Sequence, residues 1–106
     1  MSMEFTPTTL SKKLFGHSHR LTVWGEVINR TVEEPHEFRK IDVMMGLMGS
    51  HRLQTSATQA ELQALQELGM IEPSRQHPET HWQLTESPLW PIAHAAVEAW
   101  QQLTPN

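Results

Sequence analysis

Ser56, Gln59, Gln63 and Gln66 recur at steps of three, four and three. That spacing stacks them on one face of an α-helix. A glutamine amide donates and accepts together, and the pair matches the N6 and N7 edge of adenine in a bidentate way. Thr58 adds a hydroxyl beside them. Opposite this polar row stand Leu62, Leu65 and Leu68, with Ala57 and Ala64 nearby. These form the apolar stripe that such a helix buries. The spacing predicts a surface helix whose N-terminal half, through Ser56, Thr58, Gln59 and Gln63, has the chemistry to read base edges. The same pattern fits an ordinary solvated face, where Gln is common.

Cations flank this helix. Arg52, with His51, precedes it; Lys12, Lys13 and Arg20 surround an earlier helix; Arg75 lies beyond it with His77 and His81. Arg20, Arg52, Arg75 and His77 are the candidates for phosphate contacts, which fix register without reading sequence. Plain surface charge is the alternative for each. The net charge is −4 at pH 7, and no Lys or Arg follows Arg75. That balance weighs against a broadly basic surface but allows a local one.

Other chemistries find little support. The only Asp is Asp42, and Glu33-Glu34 reads as a solvated loop pair. There is no glycine-rich phosphate loop and no Gly-x-Ser-x-Gly elbow, so no catalytic residue is expected. Among the seven histidines, His17 and His19 are one residue apart, which puts them on different faces of a helix. His77 and His81 are four apart, but across a turn and a strand. No metal site and no cofactor are expected. The chain has no Cys, which removes disulfides and thiolate ligands and fits a reducing cytosol. No apolar run nears the roughly 20 residues of a membrane span, and Met1 to Leu10 does not read as a signal peptide. A cytoplasmic location, without membrane partners, is the expectation.

The elements that must position these residues are read from periodicity. Residues 1–10 are predicted to be a flexible segment, and 11–106 one domain, an ordinary size for a single core. A first helix runs from Leu10 to about Arg30, through Leu14, Leu21, Trp24 and Ile28, with Gly25 permitting close approach of another element. Thr31 to Pro35 reads as a loop. A second helix is expected to bury Phe38, Ile41, Met45 and Met48, widened by Met44 and Leu47, and to end in a turn at Gly49-Ser50-His51. Thr55 or Ser56 should cap the third helix, and Gly69 should end it in a left-handed turn. Met70-Ile71-Glu72 and the alternating His81-Trp82-Gln83-Leu84-Thr85 make a hairpin with a long polar tip. Ser87-Pro88 starts a last helix. The predicted class is mainly α with a small β-hairpin: three helices, a two-stranded wing and a C-terminal helix. This order is the winged helix-turn-helix arrangement.

The run Glu61-Leu62-Gln63-Ala64-Leu65-Gln66-Glu67-Leu68-Gly69-Met70-Ile71-Glu72 resembles the end of a recognition helix entering a wing in bacterial ArsR, MarR and PadR regulators. Leu14-Phe15-Gly16-His17-Ser18-His19-Arg20-Leu21 resembles the first helix of such proteins, particularly actinobacterial ones, and Ser87-Pro88-Leu89-Trp90 the entry to their last helix. The likeness covers about residues 12 to 102. It implies binding of double-stranded DNA, homodimerisation through terminal helices and transcriptional control. Two departures stand out: Met44 to Thr55 is long for a helix-turn-helix turn, and no Lys or Arg lies between Gln54 and Gly69.

The last helix carries Leu89, Ala93, Ala96, Trp100 and Leu103 at helical spacing. This stripe is predicted to be half of a dimer seam, since aromatics are enriched at interfaces; an intrachain core is the other reading. The acidic balance and the Arg-free third helix support an alternative function, a winged-helix module that binds another protein, such as an antirepressor, without binding DNA.

Overall fold

Leu21, Val23, Trp24 and Val27 are all buried, and they lie on helix α1 (Arg20–Arg30) at the centre of the molecule. The chain was analysed as a computed structural model that describes residues 19–103. The expected flexible segment and Lys12, Lys13, Leu14 and His17 lie outside the described residues; α1 begins at Arg20 with His19 as its N-cap, later than the start at Leu10 that the sequence predicts. After α1 come β1 (Glu37–Phe38), α2 (Lys40–His51), α3 (Thr55–Glu67), β2 (Ile71–Pro73), β3 (Trp82–Leu84) and α4 (Leu89–Leu103). The described chain is mainly helical, with one three-stranded antiparallel sheet in the order β1-β3-β2.

Thr31 closes α1 by donating its hydroxyl to the Val27 carbonyl at 2.9 Å. The loop that follows holds His36 at a φ of 62°, and His36 Nδ1 donates to the Thr31 carbonyl at 2.9 Å. β1 then departs from the sequence reading. Phe38 belongs to this strand and not to the second helix, though it is buried as expected.

The buried face of α2 also differs. Val43 and Leu47 point inward, whereas Ile41, Met45 and Met48 are 50%, 51% and 42% exposed. The helix runs through Gly49 and Ser50 to His51 instead of turning there. It ends at Arg52, whose left-handed backbone (φ 53°) lets both the Arg52 and Leu53 N–H groups reach the Leu47 carbonyl. The buried Leu53 anchors the reversal. Only residues 52–54 separate α2 from α3, so the link is tight where the sequence suggested a long one.

Helix α3 buries Leu62 and Leu65, as its spacing predicts. Leu68 is half exposed instead. Each step of three residues falls about 60° short of a full turn, so two steps carry Leu68 off the buried face. Met70 replaces it. The chain reverses at Gly69, φ 72°, and Met70 N–H reaches the Leu65 carbonyl at 2.9 Å. This is the glycine-dependent helix end expected at that position.

The sheet is two-faced. Phe38 and Trp82 pair across the strands, and Leu84 lies opposite Ile71 beside them, on the core side; Pro73, opposite Trp82 on the same face, is exposed. Glu37, Gln83 and Glu72 form the row on the other face. Ile71 and Trp82 thus lie on paired strands, as predicted. Beneath them, Trp90 at the start of α4 donates its indole N–H to the Met70 carbonyl at 2.7 Å. Ser87 starts α4 by accepting the Leu89 N–H at 3.2 Å.

Trp90, Ala93 and Val97 turn α4 into the core shared with α1. Gly25 makes this approach close: a Cβ placed there would stand 3.7 Å from Val97 Cγ1.

Candidate nucleic-acid interface

Helix α3 is held from below by a half-buried ion pair, Arg20 Nε to Glu61 Oε2 at 3.1 Å. Arg20, expected as a phosphate contact, is therefore engaged through its Nε with Glu61 of α3. Thr58 does not join the outward row expected of it. Its side chain is fully buried, so it faces the core and cannot reach a base. Its Oγ1 makes no hydrogen bond. Thr55 and Ser56 lie within the helix; the N-cap residue is Gln54, with no side-chain capping bond.

The outward row is present. Ser56, Gln59 and Gln63 are exposed together on α3. Gln63 reaches Glu67 weakly at 3.4 Å, and Gln66 Oε1 accepts from Lys40 Nζ at 3.2 Å. Lys40 also lies over the Trp82 ring, 3.8 Å from its centroid. Burial lowers its pKa from the usual lysine value. Lys40, not a candidate by spacing, joins α2, α3 and the sheet.

Arg52 stands exposed just before α3. Arg75 and His77 are exposed on the loop between β2 and β3. Among the described residues the other cations have internal partners: Arg20 with Glu61, Arg30 with Glu26, Arg39 with Asp42, and Lys40 with Gln66 and Trp82. The Arg39 hydrogen bond holds the Asp42 carboxyl below the usual carboxylate range. Arg52 and Arg75 are thus the Lys or Arg side chains, among the described residues, that have no such ion pair or ring contact.

The Arg75 loop is secured by Glu37, which sequence reading did not single out. Ser74 donates its hydroxyl to Glu37 Oε2, and His77 Nδ1 lies 3.1 Å from Oε1. The Ser74 hydrogen bond, then His77, keep the Glu37 carboxyl below its usual range. Residues 40 positions apart give no periodic signal by which this contact could be read in advance.

The expected dimer seam is largely occupied within the chain. Ala93 is buried, and Leu89, Ala96 and Trp100 are half-buried against the same core. The reason is that α4 lies along α1, which covers the stripe. Leu103 ends the helix, with its side chain outside the described residues. The outer face of α4 carries Ile92, Ala95 and Ala99, all exposed.

Among the described residues no group of three or more His, Asp or Glu is placed to hold a metal ion, and no helix is long and apolar enough to cross a membrane. No family model matches the chain, and no curated protein or solved structure is significantly similar to it. The resemblance to ArsR, MarR and PadR regulators rests on its motif residues alone.

Proposed function

We propose that the chain is a winged helix-turn-helix module that binds double-stranded DNA as a homodimer and regulates transcription. The observation that carries this reading is topological. The order helix, strand, helix, helix, strand, strand, with the sheet order β1-β3-β2, supports it: two adjacent helices run into a short antiparallel hairpin that serves as the wing. In that arrangement α3 enters the major groove with Ser56, Gln59 and Gln63 facing the bases. Arg52 and Arg75 meet phosphates on either side, and His77 assists on the wing. The dimer forms through the outer row of α4, Ile92, Ala95 and Ala99, whose small residues let a partner helix approach. Two-fold closure is the commonest assembly, and it doubles the few free cations of each chain.

A second reading has its own support. Four of the described cations are engaged internally, and α2 exposes an uncharged row of Ile41, Met45 and Met48. Flexible methionines suit a protein partner, so the same module would dock on another protein without binding DNA.

Fluorescence anisotropy against a pool of genomic fragments at low salt separates the two. We expect binding at or below micromolar protein. Arg75→Ala should weaken it alike on all sequences and reduce the salt slope by about one. Gln59→Ala should instead relax base preference. No binding at micromolar protein removes the DNA reading and favours the protein partner.

A further inference from the structure

The loop between β2 and β3 folds back over the polar face of the sheet, and it covers a carboxylate. The Glu37 side chain is only 4% exposed. Its two oxygens are taken by two different loop residues, Ser74 at Oε2 and His77 at Oε1. Ser74 Oγ in turn accepts the N–H groups of Gln76 and His77, both at 3.1 Å. The preceding N–H, of Arg75, donates to Gln83 Oε1 at 3.2 Å, and Gln83 is the cross-strand neighbour of Glu37. Three successive loop amides therefore end on side chains of one polar cluster.

An ionised carboxylate can only accept, so the contact at Oε1 requires a proton on His77 Nδ1. Imidazolium always carries that proton; a neutral ring carries it in one of two tautomers. We propose that His77 and Glu37 form a proton-operated clamp on loop residues 74–77, closed when the imidazole is charged and loosened when it is neutral.

The same polar row carries a second carboxylate, Glu72, which accepts from Gln83 Nε2 at 2.8 Å. The His81 ring lies 5.2 Å from that of His77 between centroids, and its Nδ1 contacts Thr80 Oγ1 at 2.6 Å. Its charge, when present, opposes that of His77, but from farther away than Glu37. Asp42 of α2 is matched by Arg39, and Arg30 of α1 by Glu26. Glu33 borders the same depression as Glu37 and His81. Arg75 and Glu79 on the loop itself are exposed and of opposite sign. Glu37 is held below the usual carboxylate range, so it stays an acceptor for a charged imidazole. A neutral ring keeps the contact only in its Nδ1–H tautomer, so loss of the charge loosens the clamp without abolishing it.

The clamp is a property of the loop and does not rest on the DNA reading, so its test uses the DNA-free chain. Amide–water exchange of Gln76 and His77 would be followed by NMR from pH 5.5 to 8 and divided by the intrinsic rate at each pH. Protection should fall about two- to five-fold across this range, the scale of a partly exposed ion pair. His77→Gln should flatten the profile at its high-pH level, and Glu37→Gln should flatten it too. His81→Gln should leave it intact. His77 is exposed, so its replacement leaves the core in place. A flat wild-type profile overturns the clamp, as does a dependence that survives His77→Gln or disappears in His81→Gln.

Discussion

Helices α2 and α4 are both rich in apolar residues and both leave some of them in water, Ile92, Ala95 and Ala99 on α4 included, but polar residues set the phase of the buried stripe on only one of them. In α4 the stripe through Leu89, Ala93, Ala96 and Trp100 turns toward the core, because His94, Glu98 and Gln101 occupy much of the remaining surface. In α2 apolar residues lie on both sides. Val43 and Leu47 are buried, while Ile41, Met45 and Met48 face outward. A period of 3.6 fixes the angle between stripe members, but it does not say which stripe meets the core. Polar residues supply that phase, and α2 has few of them.

The sharpest way to break this comparison is to truncate both faces of α2. Leu47→Ala should cost about 2–5 kcal/mol by chemical denaturation, as a fully buried leucine does. Met45→Ala should cost under about 1 kcal/mol, since the side chain is already half in water. Equal losses would show that Met45 is covered at the working concentration. Dilution would then shift the midpoint, which is the signature of the protein-partner or self-association reading.

A smaller effect of opposite sign is expected on α3. Thr58 is buried with an unbonded hydroxyl, and a buried polar group left unpaired costs about 1–3 kcal/mol. Thr58→Val should therefore stabilise the fold by about 1 kcal/mol, read as a rise in the thermal midpoint. A loss of stability would mean that the hydroxyl is bonded after all.

The smallest effect tests the α1–α4 contact. Gly25→Ala would place a methyl at an ordinary contact distance from Val97 while removing a helical glycine. A gain of about 0.5–1 kcal/mol is expected in the thermal midpoint. A clear loss would show that α4 packs more tightly on α1 than 3.7 Å implies.

These contrasts also show where the sequence was legible. The α3 leucines at 62 and 65, the glycine turn at 69 and the alternation around Trp82 were readable because each imposes a local period or a local φ. β1 was not, since two residues cannot show a period, and Phe38 fell by chance at helical spacing from Ile41. Thr58 lay close enough to the polar row to be taken as part of it, but its angle on the helix puts it beside Leu62 and Leu65. At the candidate interface, Ser56, Gln59, Gln63, Arg52 and Arg75 were found as exposed groups. The engagement of Arg20 by Glu61, 41 residues away, and of His77 by Glu37 depends on tertiary contacts that no spacing encodes.

Pro73 carries a last consequence. The Thr85 N–H to Met70 carbonyl and Ser74 N–H to His81 carbonyl bonds set the ladder so that residues 70, 72 and 74 face β3. The Pro73 nitrogen therefore points to the open margin of the sheet, where any other residue would offer a hydrogen. β2 lies at that margin and is three residues long. With a proline in that place, a strand from another molecule finds too few donors to pair with, and the wing is protected against the edge-to-edge growth that leads to aggregates.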